Sequence, residues 1–255
     1  MRQFVVFFIL ICTLYAQPAY SWGMKGHRII ALIAKSQLSD TIIENVDYYL
    51  KGMSWEDAAC WMEKAEANPA YDYMKPWHFF ILKADNTLVQ PKDQNLIFKL
   101  EFCIRMLQFR KIQTLATMNE ILKTVFNLIG DLHQPLHCGS ADDNAGQYVK
   151  LSYLGKETTL HQLWDESIIE EKKMDIWHCS KVLVGMNLSS RKRLDLEKFE
   201  IVNWMNDTKT VLPEVYKLNN GKADQAYIDH SAVVIETQLV KAGLRLAAIL
   251  NKYFR

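Results

Sequence analysis

The chain has 255 residues, 49% of them hydrophobic and 23% charged, with 30 lysines and arginines against 29 aspartates and glutamates. This composition excludes a disordered or low-complexity polypeptide. A formal net charge of +1 excludes a protein that grips duplex phosphates through a strongly basic surface, so a nucleic-acid enzyme built on this chain needs a local cluster of cations.

Residues 1–21 read as a secretory signal peptide. Arg2 precedes the apolar run FVVFFILICTL, and Ala19-Tyr20-Ser21 fits a small-x-small cleavage site. That run is too short to span a bilayer, and no later stretch reaches the roughly 18 apolar residues a span needs. Residues 22–255 are expected to form a secreted, soluble domain with enough chain for a sizeable core. Cleavage after Ser21 makes Trp22 the first residue, with His27 five positions later. A free α-amino group and its own carbonyl oxygen can chelate a metal, and a nearby histidine can join them.

Further along, apolar residues recur at helical spacing almost everywhere. Ile42, Ile43, Val46, Tyr49 and Leu50 form one stripe, with Ser39 or Asp40 as N-cap. Leu96, Ile97, Leu100, Cys103, Ile104 and Leu107 form a second. Met118, Ile121, Leu122, Val125, Leu128 and Ile129 form a third, ended by Pro135. The strand-like stretch Tyr148 to Thr159 suggests a small hairpin around Leu154-Gly155-Lys156, and Ala232 to Leu250 forms a long final helical run. The expected fold is all-α, a single mainly helical domain with one small β-hairpin, and bundles of this kind carry metal sites on facing helices. Cys60, Cys103, Cys138 and Cys179 permit two disulfides in an oxidising compartment, with three possible pairings. Asn187-Leu-Ser and Asn206-Asp-Thr could accept glycans in a eukaryotic secretory pathway.

Chemistry concentrates in two stretches. In Asn127-Leu-Ile-Gly-Asp131-Leu-His133-Gln-Pro-Leu-His137, positions 127 and 131 lie one helical turn apart, and His137 follows from the next turn. In His161-Gln-Leu-Trp-Asp165, an imidazole and a carboxylate share a helix face at a spacing that can grip one zinc. His78, in Pro76-Trp77-His78-Phe79-Phe80, adds a third histidine motif. Each motif alone is ordinary surface pairing, capping or core packing. Their order behind a signal peptide is distinctive.

That order resembles the zinc-dependent single-strand-specific nucleases secreted by fungi, plants and some bacteria (the nuclease S-one and nuclease P-one family), whose fold is shared with bacterial zinc-dependent phospholipase C. The resemblance begins at Trp22-Gly-Met-Lys-Gly-His27 and continues through Pro76-Trp77-His78. It is most specific at Ile129-Gly-Asp-Leu-His-Gln-Pro-Leu-His137 and Leu160-His-Gln-Leu-Trp-Asp165, and closes with Gln238-Leu-Val-Lys-Ala-Gly-Leu-Arg-Leu-Ala247. It implies three zinc ions in a cleft. The Trp22 amine and carbonyl, His27 and Asp131 would hold one. Glu63, His78, Asn127 and the bridging Asp131 would hold its neighbour. His137, His161 and Asp165 would hold the third.

Three departures touch the implied site. The family's first carboxylate is an aspartate, and here Glu63, preferred over Asp57, stands fifteen residues before His78. Asn127 replaces a histidine, and an amide oxygen is a poorer zinc ligand, so this metal position is expected to be weak or empty. Glu66 replaces an arginine near the phosphate, with Lys64 as a possible substitute. The family's Gly-Gly-Asn turn appears as Ala145-Gly146-Gln147, and Ile81 replaces an acid near the base pocket. His133 is expected to hydrogen-bond behind the ligands rather than bind metal.

The implied reaction is hydrolysis of single-stranded DNA and RNA to 5′-nucleotides by a metal-activated hydroxide. Asp131 and Glu63 would carry the catalytic metals, and Phe79 would stack a base. Two alternatives are a phospholipase C with the same cluster, and a weakened member that binds metal or nucleic acid without turnover. No protein partner is implied.

Overall fold

Apolar periodicity and side-chain caps account for most helices in this computed structural model, which describes residues 22–85, 87–186, 196 and 198–255. The expected leader and the glycan acceptor Asn187 lie outside those residues. The chain starts with α1 (Met24–Ser36) and α2 (Asp40–Leu50), followed by two five-residue helices, α3 (Trp55–Ala59) and α4 (Trp61–Ala65). Ser39 takes the N-cap position of α2 without a side-chain cap bond, and the Ser54 hydroxyl caps α3 by accepting from the Asp57 N–H. A 3-10 helix, Pro69–His78, leads to α5 (Leu96–Leu107), capped by Asn95, and α6 (Leu115–Leu132), capped by Thr114.

The second stripe is buried in full on α5, and α6 buries every residue from Thr124 to Leu132. α6 stops at Leu132, and Pro135 opens a short 3-10 turn, Pro135–Cys138, where its missing N–H costs nothing. The hairpin forms as expected: β1 (Lys150–Tyr153) pairs antiparallel with β2 (Lys156–Thr159), with Tyr153 opposite Lys156. Its two-residue loop, Leu154-Gly155, has φ of 51° and 75°, the twist that joins tightly coupled strands. Next come α7 (Leu160–Gln162), a π turn (Leu163–Ser167), α8 (Ile168–Glu171) and α9 (Ile176–Gly185). The chain closes with α10 (Ile201–Lys209), α11 (Leu212–Val215) and the thirty-residue α12 (Gln225–Phe254), capped by Asp224. Asn206 is exposed on α10.

One apolar core runs through these elements, and α6 lies inside it. α1 lies along α12, α5 lies along α6, and α1 and α3 pack together. The approach of α12 to α1 needs Gly243, because a Cβ there would stand 2.5 Å from Ile33 Cγ2. Among the described residues no helix is long and apolar enough to cross a membrane. The two disulfides that the cysteine count permits are absent among the described residues. Cys60, Cys103, Cys138 and Cys179 are all free and buried, and burial pushes each thiol pKa up to about 12.

Candidate metal centre

Five separate stretches of chain deliver the site. α1 brings His27, α4 brings Glu63, the end of the first 3-10 helix brings His78, and α6 brings Asn127 and Asp131. The turn after α6 adds His137, while α7 and the π turn add His161 and Asp165. All eight side chains are buried. π turns are uncommon and recur at functional sites. Here the turn carries Asp165 to within 2.9 Å of His161, Oδ2 to Nε2.

Two donor groups result. His27, Glu63 and Asp131 present ligand atoms within 4.8 Å of one another, as do His137, His161 and Asp165. Donors about 2.1 Å from one ion stand about 3.4 Å apart at the tetrahedral angle. His27 Nε2 is 3.3 Å from Glu63 Oε1 and 3.5 Å from Asp131 Oδ1. Asp131 joins the groups, its Oδ1 lying 3.7 Å from His137 Nδ1 and its Oδ2 2.9 Å from His78 Nδ1.

Backbone carbonyls set the imidazole tautomers. His137 Nδ1 meets the His78 carbonyl at 2.8 Å, and His161 Nδ1 meets the Ala145 carbonyl at 2.7 Å. Both nitrogens must therefore donate, which leaves each Nε2 with a lone pair for a metal. The Ala145 carbonyl is aimed by a turn in which Asn144, Ala145 and Gly146 have φ of 51°, 57° and 82°. A left-handed alanine costs about 1–2 kcal/mol, so strain is held where a ligand is oriented.

A divalent cation fits this donor set. Buried polar atoms almost always find a hydrogen bond, yet His78 Nε2, His137 Nε2, Asn127 Oδ1, Asp131 Oδ1 and Asp165 Oδ2 have none among the described residues. Charge points the same way. Burial alone would depress the His78 pKa, but the Asp131 charge and hydrogen bond, with Glu63 and Glu66, lift it to about 9. His27 is raised too, Glu63 and Asp131 overcoming its burial. Against its own burial, Asp131 is held far below the usual carboxylate range by His78, His27 and His137. His137, on the other side, is pushed down to about 4 by burial, as a neutral ligand requires.

Other expected residues fall in unexpected places. Lys64 does not reach the cluster. It follows Glu63 directly on α4, so the two side chains diverge, and it is exposed and 2.5 Å from Asp57. Asp57 is likewise exposed, outside the site. His133 does not bond behind the ligands; its ring nitrogens meet the Ile129 carbonyl and Arg245 Nη1, each at 2.7 Å. Asn127 meets Glu63 as a donor, its Nδ2 lying 2.7 and 2.8 Å from the two Glu63 oxygens and 2.9 Å from the Ala59 carbonyl. Three surrounding acceptors fix the amide orientation. Phe79 flanks the second donor group, its ring centroid 4.5 Å from His137 and 6.2 Å from His161. It lines a cleft with Ile81, Val89, Gln90, Asn144 and Gln147. Gln134 was missed from the sequence: its Nε2 donates to Asp165 Oδ1, and its Oε1 accepts from the Leu136 N–H. The Gln-Pro step inside the central motif was its one visible trace.

Comparison with known proteins places the chain in context. The sequence model of one family, described as S1/P1 Nuclease, matches residues 22–255. The chain is similar to Endonuclease 2 of Arabidopsis thaliana, 26% identical over 98% of this chain and 97% of the relative. Endonuclease 3 of Arabidopsis thaliana is 25% identical over 96% of this chain and 93% of its own length. Nuclease S1 of Aspergillus oryzae is 27% identical over 92% of this chain and 93% of its own length.

Proposed function

The chain belongs to the S1/P1 nuclease family, and from that premise we propose that this hydrolytic nuclease cuts single-stranded DNA and RNA to 5′-nucleotides at a cluster of up to three zinc ions. The carrying observation is the pair of buried histidine–carboxylate groups, His27 with Glu63 and Asp131, and His137 with His161 and Asp165, which approach each other where Asp131 Oδ1 lies 3.7 Å from His137 Nδ1. Trp22, freed as an amino terminus, would hold one ion with His27 and Asp131. Glu63, His78 and Asp131 would hold the second, and His137, His161 and Asp165 the third. Removal of residues 1–21 and export belong to the same reading. In its support, the family match begins at residue 22, and the Gly23 N–H donates to the Asp165 carbonyl at 2.9 Å, so the Trp22 segment is tied to the site.

Zinc bound there supplies Lewis acidity toward phosphoryl oxygens and lowers the pKa of water toward neutrality. The chain's own residues do the positioning. Asn127 braces Glu63, Gln134 braces Asp165, and the carbonyls of His78 and Ala145 hold His137 and His161 in the metal-binding tautomer. Phe79 offers a face on which an unpaired base can stack, whereas a duplex keeps its bases stacked on one another. The cleft beside Phe79, carrying the amides of Gln90, Asn144 and Gln147, is where that base would lie.

The test is release of acid-soluble nucleotides from denatured and duplex DNA by the chain expressed with its leader. Hydrolysis faster on denatured DNA, lost on chelation and restored by zinc, is expected, with the purified protein beginning at Trp22. Full hydrolysis after exhaustive chelation, or phosphocholine release from lipid without cleavage of DNA, would overturn the reading.

A further inference from the structure

Glu66 is a half-buried carboxylate without an assigned task. It is the C-cap residue of α4, one turn after Glu63, so both acids share a helix face. Its side chain is 11% exposed, and Oε1 lies 3.7 Å from His78 Nε2. That is too long for a hydrogen bond but close to the roughly 3.4 Å that separates two donors on one tetrahedral ion. His78 Nε2 is buried and has no hydrogen-bond partner among the described residues, while Nδ1 of the same ring is engaged by Asp131 Oδ2 at 2.9 Å. The ring is thus held in place with its second nitrogen directed to the Glu66 side.

Neighbouring charge favours a cation there. Glu63, Glu66 and Asp131 gather three carboxylates, and like charges at such range repel strongly in a desolvated site. The lysines nearest to Glu66 along the chain are committed elsewhere, Lys64 to Asp57 at 2.5 Å and Lys75 to Asp72 at 2.7 Å. Asn127 does not neutralise the cluster, and it meets the Glu63 carboxylate through its N–H groups rather than through its amide oxygen.

We infer that Glu66 is a metal ligand in this chain, holding with His78 the cation that Glu63 and Asp131 flank, in place of a donor from position 127. This rests on the zinc-dependent reading above. It also removes a difficulty: a Glu66 carboxylate bound to a cation no longer presents bare negative charge to an incoming phosphate, so an acid can occupy that position without turning away.

Metal counting separates the two readings. Wild-type protein and Glu66→Gln are equilibrated with zinc, dialysed and measured for bound equivalents and affinity, with circular dichroism as the check on folding. Loss of one equivalent in Glu66→Gln, or affinity at that position weakened by at least about 100-fold, supports the inference. That exceeds the usual 10- to 100-fold effect of an outer hydrogen-bond partner. Unchanged equivalents and affinity in a zinc-loaded background overturn this inference alone, whereas wild type without bound zinc overturns the metal reading itself. Should Glu66→Gln fail to fold, crystals of the wild type at the zinc edge decide. An anomalous peak bonded to a Glu66 oxygen supports the assignment, and a peak bonded to Asn127 Oδ1 with Glu66 unbound refutes it.

Discussion

Gly130 stands one residue before Asp131 on α6, and substituting it with alanine should damage the metal centre more than the fold. A Cβ at that position would lie 2.5 Å from His27 Cε1, 2.6 Å from His27 Nδ1 and 3.3 Å from Ile30 Cδ1. Carbon atoms in contact settle at about 3.5–4.0 Å, so the buried His27 ring has to retreat by roughly 1 Å. Overpacking of this kind costs about 1–3 kcal/mol, and alanine in a helix recovers about 1 kcal/mol over glycine. The net loss is about 0–2 kcal/mol, or roughly 0–8 °C in Tm for a domain of this size. The chemistry suffers more, since a misplacement of about 1 Å costs on the order of 100-fold in rate. His27 Nε2 would leave the 3.3 and 3.5 Å approaches to Glu63 and Asp131 that suit one ion. Thermal melts, zinc equivalents and kcat/KM on denatured DNA measure the three effects. Gly243→Ala is the comparator: its Cβ would lie 2.5 Å from Ile33 Cγ2 and 3.2 Å from the Ile30 carbonyl, in the α1–α12 contact. It should lose stability and keep its rate. A Gly130→Ala enzyme with native zinc content and native rate would refute the reasoning.

Phe79→Ala should raise KM on single strands by roughly 5- to 150-fold, from about 1–3 kcal/mol per stacked base, with kcat little changed; an unmoved KM would remove Phe79 from substrate binding. Asp207→Ala strips the carboxylate that meets Arg245 Nη2 at 3.0 Å, while Arg245 itself is 1% exposed. The expected cost is about 3 kcal/mol, at the low end for a broken buried pair because Asp207 is partly exposed, and a Tm within 2 °C of wild type, on the order of 1 kcal/mol or less, would contradict it. Cys103 gives a pH signature, because burial pushes its folded pKa up to about 12 while an unfolded thiol titrates at about 8.5. The unfolded chain loses the proton first, so this contribution is complete below about pH 8.5 and is lost as pH rises toward 12, at up to about 1.4 kcal/mol per unit. Relative to wild type, Cys103→Ala should be most destabilised at neutral pH and converge with it above pH 9. Stability curves that stay parallel from about pH 7 to 11 would show that Cys103 does not carry the slope.

Much of the scaffold was legible along the chain. The stripes on α2, α5 and α6, the end of α6 before Pro135 and the hairpin at Leu154-Gly155 are local consequences of periodicity, caps and turn chemistry. Asn127 with Asp131 and His161 with Asp165 were visible as pairs one turn apart for the same reason. Less could be read for Lys64 and Glu66, adjacent in sequence to plausible roles but placed oppositely by the packing of α4: Lys64 faces solvent and Glu66 faces His78. His133 had the right neighbours for a place behind the ligands, yet Arg245, 112 residues away, took its nitrogen.

By itself, the order of residues determined which donors exist and which helix face each occupies, because rise and rotation per residue are local properties of the backbone. Tertiary structure alone decided that Glu63 and Asn127 meet amide-to-carboxylate, that an Ala145 carbonyl sets the His161 tautomer, and that three acids converge on His78. Those contacts join segments 12 to 64 residues apart, and their geometry depends on how the core closes around α6.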